Sequence, residues 1–216
     1  MQVIHSPLSA GASVLVGLVA MAVVMIPLLW APVEHFSAMT HEGAHALLAV
    51  TLGLTVTNVV LDRHSKGKTS FAGEGLRVVL VILIGYLGPS LFGLGAARFI
   101  SLGDPVAPLW LLVILLVLVL FLLGRSFGMI SVPVAIVLLY VILRYTHAGA
   151  EVVVSYAVTW LLLLAGVRTA VGHGVHATDA DLLRRHTHLP RLLWSLLWLA
   201  GTVGALLLGG KLLVLG

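Results

Sequence analysis

The sequence predicts an all-α polytopic membrane protein of about seven transmembrane helices, with a short cytoplasmic β-hairpin after the second. Three observations predict it. Of 216 residues, 60% are hydrophobic and only 9% are charged, for a mean hydropathy of +1.15. The apolar residues gather in runs close to the ~20 residues that a helix needs to cross the hydrocarbon core. The cationic residues lie between those runs and favour one side. Soluble domains carry about 25% charged residues, so a cytosolic globular enzyme, a disordered chain and a coiled coil are excluded. There is no cysteine, which excludes disulfides, thiol catalysis, iron–sulfur clusters and Cys-type zinc sites. Any metal must be held by carboxylates and the ten histidines. A formal charge of +4 with pI near 9.9 reads as membrane orientation, with no nucleic-acid partner expected.

The seven apolar runs are residues 12–30, 33–53, 76–97, 106–124, 130–143, 152–167 and 192–208. No Lys or Arg precedes Arg63, so the first run lacks the charged flank of a secretory signal and reads as a retained helix. Pro27 and Pro32 mark a tight link to the second run. Beyond that run, Val56, Val59, Val60 and Leu61 precede the polar turn Asp62-Arg63-His64-Ser65-Lys66-Gly67, and Thr69, Ser70 and Phe71 follow. Two β-prone segments around such a turn predict the hairpin. Sorted by side, Arg63, Lys66, Lys68, Arg77, Arg125, Arg168, Arg184, Arg185 and Arg191 fall together, against Arg98, Arg144 and Lys211. Basic loops stay in the cytoplasm, so seven crossings place the N-terminus inside and the C-terminus outside. With no repeat and no linker, residues 1–216 read as one domain.

The second run contains His41-Glu42-Gly43-Ala44-His45. On a helix, positions i and i+4 share a face, so both imidazoles can grip one ion. Glu42, beside His41, can reach a water on that ion and act as its general base. Such a motif arises by chance roughly once in a hundred chains of this composition. A charge at the bilayer centre costs about 2.5–3.5 kcal/mol on insertion scales, so ionisable groups there point to function. A catalytic zinc takes three protein ligands and keeps one position open. Candidates for the third on the cytoplasmic side are Asp62, His64, Glu74, His173, His176, Asp179, Asp181, His186 and His188. Spacing does not choose among them. Thr178-Asp179-Ala180-Asp181-Leu182-Leu183 also reads as a helix start, with Thr178 or Asp179 as its cap.

With these residues in view, the sequence resembles the site-2 protease family of intramembrane zinc metallopeptidases (family M-50), in particular its small bacterial, subfamily-B-like branch. The resemblance rests on four pieces in order: the segment His41 to Leu47; the β-prone stretch ending Gly67-Lys68-Thr69; Gly85-Tyr86-Leu87-Gly88-Pro89-Ser90-Leu91-Phe92-Gly93; and Thr178-Asp179-Ala180-Asp181-Leu182-Leu183 with Thr187-His188-Leu189-Pro190. It implies a zinc ion bound by His41 and His45, with Glu42 as catalytic base. It implies Asp179 as third ligand, within a Thr-Asp-Ala motif that stands where better-known members carry Asn-Pro-Asp-Gly or Leu-Asp-Gly. It also implies a multi-pass protein of a bacterial plasma membrane whose partners are the lipid bilayer and a membrane-protein substrate with a transmembrane helix. Two other functions are compatible with the residues: a non-catalytic, metal-binding membrane scaffold, and an ion or metal transporter. The confinement of the ionisable cluster to one span argues against the transporter.

Overall fold

A computed structural model describes residues 7–173 and 178–216. The order is α1 (Ala10–Met25), α2 (Pro27–Thr51), β1 (Thr55–Leu61), β2 (Gly67–Ala72), α3 (Leu76–Ser101), α4 (Ala107–Leu122), α5 (Gly128–Tyr145), α6 (Ala148–His173), α7 (Thr178–Thr187) and α8 (Arg191–Leu215). Each of the seven apolar runs corresponds to a helix, and α7 is an additional short amphipathic one.

Among the described residues, four helices are long and apolar enough to cross a membrane, or five if a bent pair counts as one, against the seven expected. By length and composition, α3, α5, α6 and α8 can each cross a membrane. Helices α1 and α2 meet at 99° and make at most one broken span between them, while the apolar α4 is shorter, at 16 residues, and returns the chain to the hairpin, where Gly124 meets Val59. Of the two prolines that mark the link, Pro27 is the one at the break, which lies at Ile26. Proline drives the preceding residue into extended backbone, and Ile26 has φ −82° and ψ 118°. Pro27 then takes the first helical position, where its missing N–H leaves no bond unmade. Hydropathy is blind to this bend, because both arms are apolar.

Leu8, Ile100, Val152 and Leu213 belong to one apolar cluster, and Gly216 abuts Ser101. The start of α1 and the end of α8 therefore lie at the same end of the bundle.

Helix α3 is central, packing against α2, α6 and α8. Close approach to α6 is permitted where Gly93 meets Leu163 and Gly166 meets Ser90. The guanidinium of Arg168 lies over the Trp30 ring at 4.3 Å, tying the end of α6 to the start of α2. Helix α2 ends where Gly53, at φ 71°, lets the Leu54 amide reach back to the Ala49 carbonyl at 2.8 Å.

The predicted hairpin is present. Strands β1 and β2 pair antiparallel, with Val59 opposite Thr69 and Leu61 opposite Gly67, and a register shift between Val56 and Asn58. The outer edge of β1 is closed by the Gly124 amide, which donates to the Val59 carbonyl at 2.8 Å. Both Val59 and Leu61 are fully buried in a cluster that includes Leu115, Leu116 and Val119 of α4. The hairpin is thus fixed along one flank of α2.

Candidate metal centre

Each face of α2 around its histidines meets a different neighbour. Gly43 faces Leu115 and Val119 of α4, where a Cβ would come within 3.1–3.2 Å. Ala44 faces Gly88 of α3, and Glu42 faces the hairpin. His41 and His45 face α3 at Gly85. Glu42 is 3% exposed and His45 5%, so the polar residues of this apolar helix turn away from lipid.

The two imidazoles converge as the i, i+4 spacing requires, with Nε2 atoms 3.1 Å apart. Asp179 Oδ2 completes the triangle, 3.2 Å from His41 Nε2 and 3.4 Å from His45 Nε2. Ligand atoms about 2.0–2.1 Å from a tetrahedral zinc stand roughly 3.3 Å from one another. The three edges match that figure, and three protein ligands leave a fourth position open. The donor set of two imidazoles and a carboxylate suits the same ion.

The surroundings aim these donors. His45 Nδ1 donates to the Val81 carbonyl at 2.6 Å, which leaves the Nε2 lone pair facing the centre. The His41 ring stands edge-on to Tyr86 with centroids 4.9 Å apart. Tyr86 in turn stacks on Trp198 at 4.4 Å, and Trp198 Nε1 donates to the Leu83 carbonyl at 2.9 Å. Gly85 provides the space: a Cβ there would collide with His45 Nε2 and lie 2.7 Å from His41 Nε2. The glycine is required by the donors, whereas Gly88, whose added Cβ would lie 2.5 Å from that of Ala44, serves close packing against α2.

Asp179 arrives on α7. This helix carries Asp179 and Asp181 in its first turn and Arg184, Arg185 and His186 in its last, both favourable to the helix dipole. Ala180 and Leu183 are fully buried against Val78, Ile82, Trp194 and Trp198. Asp181 forms an ion pair with Arg191 at the start of α8. The apolar side of α7 thus docks on α3 and α8, and its first turn delivers the carboxylate. The sequence reading of a helix start at Thr178 and the reading of Asp179 as a ligand are compatible.

The other candidates are placed elsewhere. Asp62 builds the hairpin turn, its Oδ1 accepting from the amides of His64 at 2.8 Å and Lys66 at 2.9 Å. Those amides, Lys66 foremost, hold its carboxyl below the usual carboxylate range. His64, Glu74, His186 and His188 are exposed, and none joins the metal-ligating group among the described residues. His176 and the side chain of His173 lie outside the described residues.

Beside the centre, a cavity of about 310 Å³ follows the α2–α3 seam, lined by Ala44, Leu47, Leu48, Ile84, Gly88 and Leu91 among others. Leu47 and Leu91 are exposed on the outer surface. Sequence reasoning missed Thr69, the Val81 carbonyl and the purpose of Gly85. Only the two motif segments that carry Thr69 and Gly85 hinted at them.

A family model described as Peptidase M50B-like matches residues 14–209. No curated protein and no solved structure matches the chain.

Proposed function

We propose, from the premise that this chain belongs to the Peptidase M50B-like family, that it is an intramembrane zinc metallopeptidase. It hydrolyses peptide bonds in or near the transmembrane segments of membrane-protein substrates. The observation that carries this reading is the convergence of His41, His45 and Asp179, with the Glu42 carboxylate on the neighbouring face of the same helix turn.

A zinc ion held by these three residues would supply Lewis acidity to the scissile carbonyl and lower the pKa of a bound water toward ~7. The chain's own residues do the rest. Glu42 takes a proton from the attacking water and returns it to the leaving amine. Val81 and Tyr86 hold the imidazoles in place, so their lone pairs need no reorganisation during the reaction. A helical substrate must unwind first, because its carbonyls are occupied by helix hydrogen bonds. The apolar cavity beside the centre, free of charged residues, suits the side chains of such a segment.

The cationic loops indicate orientation. The hairpin, the start of α3, the α4–α5 link and the stretch from the end of α6 to the start of α8 carry nine of the twelve Lys and Arg residues and lie at one end of the bundle, which we assign to the cytoplasm. Leu8 and Gly216 then both lie outside, and the protein is a multi-pass component of a bacterial plasma membrane.

The test is cleavage of a single-span substrate in proteoliposomes. Removal of metal with a chelator is expected to abolish cleavage, and one equivalent of zinc to restore it. Persistent cleavage by metal-free protein would end the metallopeptidase reading. Zinc binding without cleavage of any single-span substrate would leave a metal-binding scaffold, and zinc flux into vesicles a transporter.

A further inference from the structure

Glu42 does not stand free beside the imidazoles. Its Oε2 accepts a hydrogen bond from Thr69 Oγ1 at 2.5 Å. The same hydroxyl lies 3.3 Å from the Glu42 backbone carbonyl, but it has one proton, and the shorter, charge-assisted contact takes it. The other oxygen, Oε1, rests against Gly67, where a Cβ would collide with it.

The donor is itself rigidly held. Thr69 lies opposite Val59 in the ladder, and Val59 is bonded to Gly124 at the end of α4. A line of contacts therefore runs from α4 through both strands to the carboxylate. A glutamate has three side-chain torsions and gives up much rotamer freedom when it is fixed. A side chain that swings between positions presents its base in the productive one only part of the time.

We infer that Thr69 is a positioning residue for Glu42. Its hydroxyl pins one carboxylate oxygen, and so determines which oxygen remains to take the proton from water. The inference rests on the hydrolase reading for its consequence in the reaction, but the geometry it asserts can be measured separately.

The experiment uses the full chain in lipid vesicles, with Thr69→Val removing the hydroxyl at nearly constant shape and Thr69→Ser retaining it. The Glu42 carboxylate stretch is assigned from the infrared difference between wild type and Glu42→Gln. The band is expected to shift in Thr69→Val and to return in Thr69→Ser. With a single-span substrate, Thr69→Val is expected to lower kcat roughly ten- to a hundredfold, with KM and zinc content unchanged, and Thr69→Ser to recover most of the rate. An unshifted band in Thr69→Val overturns the inference whatever the activity. A rate loss that Thr69→Ser does not repair also overturns it. If the band follows the hydroxyl while wild type cleaves nothing, the positioning stands and the hydrolase reading alone fails.

Discussion

Replacing Glu42 with Gln is expected to lower kcat by about 10²–10⁴-fold while zinc content stays at the wild-type level. The substitution is nearly isosteric. The glutamine oxygen still accepts from Thr69 Oγ1 and the amide nitrogen takes the place against Gly67, so the shape of the buried side chain persists. What disappears is the basicity that removes a proton from water. The ligand triangle of His41, His45 and Asp179 does not include Glu42 and survives the change. Metal analysis and single-turnover cleavage on the same preparation separate the outcomes. Undiminished cleavage would remove Glu42 from the reaction. Loss of zinc together with activity would mean that Glu42 supports the ligands instead of the proton transfer.

Gly85→Ala is expected to weaken zinc binding at least a hundredfold, with the fold intact. Loss of a partner that merely supports a metal ligand costs about 10–100-fold in affinity, and this methyl group intrudes on the donors themselves. It would strike His45 Nε2 and stand 2.7 Å from His41 Nε2. The imidazoles are the ends of side chains and can rotate away, so the helices need not separate. Alanine is also the better helix former, by about 1 kcal/mol. Thermal unfolding without metal is therefore expected to be unchanged or slightly raised, while zinc titration shows the loss. Asp179→Ala is the reference: it removes one corner of the triangle and should lose zinc to a similar degree. Wild-type zinc affinity in Gly85→Ala would mean that the ion, if it binds, sits elsewhere.

These expectations show which parts of the molecule are legible in the amino-acid sequence. His41 and His45 are readable because the helical repeat alone brings them together, and Glu42 follows from its place between them. Asp179 is not readable by spacing: it lies 138 residues from His41, and only the docking of Ala180 and Leu183 on α3 and α8 delivers it. Family resemblance supplied what local physics could not. Thr69 is one hydroxyl among several in a hairpin, and its significance depends on where β2 lies against α2. Gly85 belongs to a run of small residues that serve helix packing in most membrane bundles; its distinct use is visible only with the imidazoles in place. The hairpin was legible because a polar turn between β-prone segments is a local signal. The exact position of the break is not legible, because Pro27 and Pro32, five residues apart, offer the same signal, and only Pro27 falls where a helix can begin.

The turn at Ile26 has a corollary for biogenesis. In the proposed orientation, with α4 returning the chain from the Ser101 end of α3 to the hairpin, the start of α1 and the end of α8 face the compartment opposite the hairpin. An enzyme that matures only after export, fused ahead of Leu8 or behind Gly216, would become active at either junction. The same fusion placed within the Arg63–Lys66 tip would stay silent. Activity at one junction alone would overturn that placement of the two ends.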